Sequence, residues 1–216
     1  MLDAERELVA AAARGLARDG LVLGTSGNVS VRAGELVAVS ATGGVLERLT
    51  AHEVVVVDLD GTLVDGDFAP SSELELHLGA YRRYGAGAVV HTHGPAATAL
   101  GCVRDELPVV HYQLIELGGA IRVAPYATFG TAELARMTLD ALAGRRAAIM
   151  ANHGAVTVGD DLEAALAAAR LLEWGADLYL RAAVIGEPRT LDDDQIADFG
   201  RVVAERAYGP LVRVSP

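Results

Sequence analysis

Short turns between apolar runs constrain the fold of this chain most strongly. Residues 29–32 and 36–39 are strand-like runs separated by a turn at Gly34, and a second run at 54–59 returns through Asp60-Gly61 to 62–64. Parallel neighbours need a crossover of a dozen or more residues, so strands joined by such turns must pair antiparallel. Helical patterns interleave with the strand runs. The sequence therefore predicts an α/β protein with a largely antiparallel sheet flanked by helices.

Apolar periodicity predicts the remaining elements. Helices are expected at residues 5–18, from a start near Ser72 to about Tyr84, after Pro95, and at 131–143, 162–185 and 192–207. Further strands are expected at residues 88–93, 109–115, 121–124, 147–151 and 155–158. A length of 216 residues is typical of one globular domain, and we expect residues 1–216 to form it.

All 18 basic residues are arginine, and the chain contains no lysine. It therefore cannot form a Schiff base with a carbonyl substrate or with pyridoxal phosphate, and it cannot supply the lysine of a P-loop. Carbonyl chemistry in this protein would require a metal ion.

Charge and composition exclude several other classes of protein. The formal net charge of −11 argues against a partner recognised through the nucleic-acid phosphate backbone. Cys102 has no second cysteine to pair with, and the amino terminus has no basic patch followed by an apolar run. Charged residues interrupt the apolar stretch 162–185, so it is not a membrane span. We expect a cytoplasmic protein that binds neither nucleic acid nor membrane.

Histidines at the ends of two predicted strands are the first candidate site. His91 and His93 lie two residues apart on a strand, where side chains project from the same face, so both imidazoles can reach one ion. Two polar residues at a strand end can also simply face solvent. His153 ends a second buried strand in the same way, and three neutral imidazoles with an open fourth position are the makeup of a catalytic zinc site.

The other three histidines have simpler interpretations. His52 lies in a capping box over residues 50–53 and is expected at the surface. His77 is one turn into a helix, where it can pack or form a hydrogen bond. His111 lies beside Tyr112 in a predicted strand and is expected to be a core residue rather than a ligand.

Glu73 is the best candidate for acid or base chemistry. It follows Pro70-Ser71-Ser72 at a predicted helix start, where the helix dipole favours a carboxylate and backbone N–H groups attract anions. The alternative is an ordinary first-turn glutamate. Two loops rich in small residues, 25–28 and 40–44, could add the donors of an anion-binding nest, although small residues in turns often serve only the turn.

These segments, in this order, resemble the class II aldolase/adducin-head family, and within it the metal-dependent fuculose-phosphate aldolases. The resemblance runs along essentially the whole chain. The segments that carry it are Gly24-Thr25-Ser26-Gly27-Asn28-Val29-Ser30-Val31-Arg32, Ala41-Thr42-Gly43, Pro70-Ser71-Ser72-Glu73, Val89-Val90-His91-Thr92-His93, His111-Tyr112, Ala124-Pro125-Tyr126-Ala127-Thr128-Phe129-Gly130-Thr131 and His153-Gly154.

The resemblance implies a three-layer α/β/α fold around a mostly antiparallel sheet, a C4 homotetramer and one divalent zinc ion per subunit. It implies that His91, His93 and His153 hold the metal, and that Glu73 is catalytic and, without substrate, a possible fourth ligand. The residues that it places at the substrate phosphate are Gly27, Asn28, Thr42, Gly43, Ser71 and Ser72.

The resemblance also implies that Tyr112 reaches the site of a neighbouring subunit, where it handles a proton as a second catalytic residue. Tyr208 matches another tyrosine near that site. The chain departs from the pattern in two places: Asn152 stands where the fuculose-phosphate enzymes carry His, and Glu205 replaces an aromatic residue. The second departure bears on the aldehyde preference.

The expected activity is reversible aldol cleavage of a ketose 1-phosphate, first of all L-fuculose 1-phosphate, to dihydroxyacetone phosphate and L-lactaldehyde. One alternative is a sugar-phosphate 4-epimerase of the L-ribulose-5-phosphate type. Those enzymes use an aspartate after the His-x-His strand, and this chain has none between Asp105 and Asp140. Dehydratases and decarboxylases share the scaffold and stay open. A non-catalytic module like the adducin head is a further alternative, against which the three histidines and Glu73 count.

Overall fold

The computed structural model describes residues 1–206. The helices of this part are α1 (Asp3–Arg18), α2 (Leu74–Tyr84), α3 (Pro95–Gly101), α4 (Ala132–Leu142), α5 (Leu162–Ile185) and α6 (Asp193–Arg206). Its strands are β1 (Asn28–Ala33), β2 (Leu36–Ser40), β3 (Val54–Asp58), β4 (Leu63–Asp65), β5 (Ala88–Thr92), β6 (Glu106–Leu107), β7 (Ile121–Ala124), β8 (Ala147–Met150) and β9 (Gly154–Gly159).

The nine strands form one sheet in the order β4-β3-β2-β1-β5-β9-β8-β7-β6. The pair β7 and β8 is parallel, and every other pair of neighbours within residues 1–206 is antiparallel, as the short turns predict. Strand β5 lies at the centre. Its His91 is opposite Asn28 of β1 on one side and Val156 of β9 on the other.

Helices cover both faces of the sheet. Val55 and Val57 pack with helices α2 and α4 on one face, whereas Val54 and Val90 point to the other face, which α1 and the start of α5 cover. Helix α3 and the rest of α5 complete that second layer. Successive side chains of a strand alternate between faces, so apolar residues at consecutive positions supply both cores. The predicted three-layer α/β/α architecture is confirmed.

The strand predicted at residues 109–115 is wrong. Its second half belongs to a 3-10 helix, Tyr112–Leu117, which begins where the His111 ring accepts a hydrogen bond from the Gln113 amide. Leu114 and Leu117 are buried at the three-residue spacing of such a helix, and this burial outweighs the strand preference of the preceding valines.

The predicted start of α2 is also corrected. Glu73, not Ser72, is the N-cap, and its side chain makes no capping hydrogen bond. The Ser71 hydroxyl instead accepts a hydrogen bond from the Glu73 amide at 3.2 Å. The capping box predicted over residues 50–53 is present between Thr50 and Glu53, and Asp192 and Gln195 exchange the same pair of hydrogen bonds before α6.

No helix within residues 1–206 combines the length and the apolar character needed to cross a membrane. The predicted last helix extends to Ala207, and both that end and Tyr208 lie outside the described residues.

Candidate active site

Three imidazoles converge at one end of the central strand. His91 belongs to β5, His93 follows the end of that strand, and His153 lies in the turn that joins β8 to β9. One ring nitrogen of each lies within 4.8 Å of the others, and the Nε2 atoms of His91 and His93 are 2.9 Å apart. Gly154 permits this approach, because a Cβ there would come 2.3 Å from the Thr92 carbonyl oxygen.

The protonation of these rings suits metal ligands. Burial and the neighbouring imidazoles lower the pKa of His93 to about 4, and burial together with His91 lowers the pKa of His153 below its ordinary value. Both rings are therefore neutral at pH 7. His91 Nδ1 lies 2.9 Å from the Ala155 carbonyl oxygen, an outer partner that orients the ring with Nε2 facing the cluster.

The Glu73 carboxylate completes the cluster. It is 8% exposed, its Oε2 lies 3.1 Å from His91 Nε2, and its Oε1 lies 3.6 Å from His153 Nε2. Asn28 Nδ2 donates to Oε2 at 2.9 Å. Burial alone raises the pKa of Glu73, but the His91 imidazole and the Asn28 amide outweigh it and hold the pKa well below the usual value for glutamate. The side chain is a carboxylate at neutral pH.

Two features of this cluster fit a divalent metal ion. Among the described residues, Glu73 Oε1 is buried without a hydrogen-bond partner, and a buried unpaired carboxylate oxygen is costly. The Nε2 atoms of His91 and His93 lie 2.9 Å apart, and a ring nitrogen of His153 lies within 4.8 Å of both, so one ion can reach all three rings. A cation among them satisfies every one of these groups, and imidazole nitrogen with carboxylate oxygen is a donor set that zinc accepts.

The small-residue loops lie beside Glu73. The Thr42 amide donates to the Ala69 carbonyl at 3.0 Å and the Ser71 amide to the Ser40 carbonyl at 3.1 Å, which ties the loop after β2 to the segment before α2. Thr42, Gly43 and Ser72 are exposed. These three residues line a cavity of about 520 Å³ together with Gly27 and Asn28 of the loop 25–28. The cavity also reaches Glu73, His93 and His153.

Three further residues that line this cavity were not given a role from sequence. Tyr126 and Phe129 expose large aromatic rings there, and Asn152 adopts a positive φ of 55° directly before His153. Segment 124–131 and the substitution at Asn152 are visible in the sequence. Their position at the cavity depends on the β7–β8 pairing, which spacing along the chain does not show.

The remaining candidates lie away from the cluster. His52 is exposed as predicted. The core interpretation of His111 is wrong, since His111 is half-buried against Trp174. Tyr112 is 43% exposed beside Phe199. Tyr112 does not line the cavity formed by the described residues of its own chain.

Gly27 is required where its loop passes strand β5, and Gly27→Ala is expected to destabilise the protein more than Gly34→Ala. Gly27 has a φ of +99°, and a Cβ would lie 2.7 Å from Val22 Cγ1 and 2.9 Å from the His91 carbonyl oxygen. Gly34 also has positive φ, +65°, but nothing within 4 Å. We expect a loss of about 1–2 kcal/mol for Gly34→Ala and a further ~1–3 kcal/mol for Gly27→Ala, measured by urea unfolding. Equal losses would show that the close approach does not matter.

Three converging imidazoles and a buried carboxylate, meeting at the end of a cavity that a small molecule can enter, form an arrangement that can hold a divalent metal ion. Residues 7–180 match the family described as Class II Aldolase and Adducin N-terminal domain. The chain belongs to this family, and the resemblance found in the sequence is confirmed.

The chain is similar to several proteins over most of their length. The chain is 37% identical over 204 residues to the 5-deoxy-D-ribulose 1-phosphate aldolase of Bacillus thuringiensis serovar kurstaki, covering 93% of this chain and 96% of that protein. It is 41% identical over 187 residues to the 5-methylthioribulose-1-phosphate/5-deoxyribulose-1-phosphate aldolase of Rhodospirillum rubrum, covering 86% and 84%. A solved L-fuculose 1-phosphate aldolase superposes with a TM-score of 0.89 at 33% identity, covering 93% and 96%.

Proposed function

We propose that this protein catalyses the reversible aldol cleavage of a ketose 1-phosphate to dihydroxyacetone phosphate and a short aldehyde. The observation that carries the proposal is the Glu73 carboxylate, which is buried with Oε1 unpaired among described residues and lies beside three converging imidazoles. The same features argue against a non-catalytic module, since an interaction surface gains nothing from burying an unpaired carboxylate.

The phosphate of the substrate binds to the loops beside Glu73. Gly27, Asn28, Thr42, Gly43, Ser71 and Ser72 supply the backbone, amide and hydroxyl donors of this subsite. No arginine lines the cavity among the described residues, so oriented dipoles, not a basic side chain, recognise the anion.

His91, His93 and His153 hold one divalent metal ion, which we propose is zinc. When bound, it supplies Lewis-acid stabilisation of negative charge on the substrate oxygens next to the reacting carbon. The absence of lysine excludes a Schiff base as the alternative.

Glu73 moves the proton at C3 of the ketose. In cleavage the C3–C4 bond breaks, its electron pair passes into the enediolate, and Glu73 gives C3 a proton; in condensation it takes that proton back. An ionised Glu73 carboxylate is ready to take the proton in condensation. Cleavage requires the substrate to raise the pKa of Glu73, as expected when a dianionic phosphate enters the cavity and Glu73 loses contact with the metal site.

The names of the relatives suggest two candidate substrates. L-fuculose 1-phosphate remains the first, and 5-deoxyribulose 1-phosphate is the second because two relatives with 37% and 41% identity act on it. Both sugars carry a ketone next to a phosphorylated carbon and end in a methyl group. Tyr126 and Phe129, exposed at the cavity, offer apolar surface to such an end.

The proposal is tested by incubating the zinc-loaded protein with both candidates, with rhamnulose 1-phosphate and with ribulose 5-phosphate. Coupled detection of dihydroxyacetone phosphate reports aldol cleavage, and chromatography of the remaining sugar reports epimerisation. We expect dihydroxyacetone phosphate from at least one ketose 1-phosphate. Conversion of ribulose 5-phosphate to its C4 epimer, with no cleavage of any ketose 1-phosphate, would instead establish the epimerase.

We further propose a C4 homotetramer in which Tyr112 acts in the site of the neighbouring subunit, on the proton of the C4 oxygen. Its exposed side chain, away from the cavity of its own chain, supports this role. Mixing inactive Tyr112→Phe chains with inactive Glu73→Gln chains should then restore part of the activity, because some mixed sites receive both native residues. No recovery after verified subunit exchange, or full activity in a monomer, would contradict the shared site.

A further inference from the structure

A chain of buried hydrogen bonds leads from helix α2 to the oxygen of Glu73. Tyr81 Oη contacts Ser30 Oγ, which lies 2.6 Å from His77 Nδ1, and His77 Nε2 lies 2.5 Å from Asn28 Oδ1. Asn28 Nδ2 then donates to Glu73 Oε2 at 2.9 Å. All five side chains are buried, and Ser30, His77 and Tyr81 do not line the cavity.

The orientation of the Asn28 amide fixes the direction of the hydrogen bonds in this chain. Asn28 turns Nδ2 toward Glu73 Oε2 and Oδ1 toward His77 Nε2. An amide oxygen only accepts, so the proton of the His77 ring must be on Nε2. Burial lowers the pKa of His77 to about 3, so the ring holds a single proton and Nδ1 accepts from the Ser30 hydroxyl. Ser30 in turn accepts from Tyr81.

The periodicities of a helix and a strand bring these groups together. Along helix α2 and its N-cap, a spacing of four residues places Glu73, His77 and Tyr81 on one face. Along strand β1, a spacing of two residues places Asn28 and Ser30 on one face. The helix therefore presents the carboxylate and the ring that orients its partner as one unit. A merely structural histidine would need only to fill this space and satisfy its own nitrogens.

We propose that His77 is a positioning residue: its Nε2–H locks the Asn28 amide in the orientation that presents Nδ2 to Glu73 and to the phosphate subsite. With the amide reversed, Oδ1 would face the carboxylate at 2.9 Å, and the repulsion would displace the group that moves the proton. The effect on turnover rests on the proposed function, but the orientation of the amide does not.

The first test needs no substrate. The ¹⁵N and ¹H shifts of the His77 ring, assigned by comparison with His77→Gln, report which nitrogen is protonated in the zinc-loaded and metal-free protein. We expect the neutral Nε2–H form from pH 6 to 8 in both. A proton on Nδ1, or on both nitrogens, would overturn the proposal even if the protein proves to be an active aldolase.

The second test separates positioning from packing through turnover, zinc content and thermal midpoint. His77→Leu, which keeps bulk but has no donor, should reduce kcat by about 10- to 100-fold, the usual cost of losing a partner that orients a site group. His77→Gln, whose amide nitrogen can replace Nε2, should recover most of that loss. In an Asn28→Ala background, His77→Leu should cost nothing further, because the group through which it acts is gone.

Tyr84→Phe is the matched control. It removes a hydrogen bond from α2 to the Leu139 carbonyl, with no link to Asn28, and kcat should be unchanged. Equal losses of kcat from His77→Leu with and without Asn28, or a folded His77→Gln protein no better than His77→Leu, would show that His77 only supports the fold. If no ketose 1-phosphate is cleaved by the native protein, the proposed function fails while the ring measurement still decides the amide orientation.

Discussion

Glu73→Gln is expected to reduce aldol cleavage by about 10²- to 10⁴-fold, the contribution typical of general acid–base catalysis. The amide of glutamine fills the same space, and its oxygen can still accept the hydrogen bond that Asn28 Nδ2 donates to Oε2. It can neither take up nor release a proton at neutral pH. The fold and the three histidines should therefore persist while the proton at C3 has no carrier.

Glu75→Gln is the control for this substitution. Glu75 lies two residues further along the same helix, is exposed, and pairs only with Arg82 at 3.6 Å among the described residues. It makes the same change of charge without touching the cluster, so its turnover should equal that of the native protein. If Glu73→Gln lowers turnover by less than about tenfold, a barrier change of roughly 1.4 kcal/mol, another group moves the proton.

His93→Ala is expected to remove the bound metal and the activity together. Three nitrogen donors hold the ion in the proposed site, and two imidazoles with a carboxylate that is needed elsewhere in the reaction are not enough to retain it. His93 is the best position for this test because it is only partly buried, whereas His91 is fully buried and bonded to the neighbouring strand. Metal content after dialysis and turnover are measured on the same sample.

His52→Ala controls for the loss of an imidazole as such, because His52 is exposed and does not line the cavity that reaches the cluster. It should keep stoichiometric zinc and native turnover. A folded His93→Ala protein that retains stoichiometric zinc with its activity intact would refute the assignment of the three histidines, whatever the substrate.

The convergence of His91, His93 and His153 could be predicted because each follows a strong apolar run. His91 and His93 share one face of a strand, and His153 lies at the end of another. The three rings meet if those strands are neighbours in the sheet, and β5 and β9 are. The position of Glu73 near a helix start could also be predicted, from the small residues that precede it. The structure places Glu73 at the N-cap of that helix.

Segment 109–117 could not be predicted in the same way. Its valines favour a strand locally, and only burial of Leu114 and Leu117 against the rest of the protein selects the 3-10 helix. The partnership of His77 with Asn28 was equally invisible, because it joins residues 49 positions apart through helix-to-strand packing. His77 could be expected to form a hydrogen bond; its partner depends on the tertiary fold.

In the proposed reaction, Glu73 moves a proton at the carbon that becomes the hydroxymethyl group of dihydroxyacetone phosphate. Incubating the zinc-loaded protein with dihydroxyacetone phosphate in ²H₂O, without any aldehyde, isolates this step from the identity of the sugar. We predict that the native protein replaces one hydrogen of that carbon with deuterium, seen by ¹H NMR, and that the Glu73→Gln protein does so at least about 100-fold more slowly. Exchange at the native rate in the Glu73→Gln protein would contradict the account.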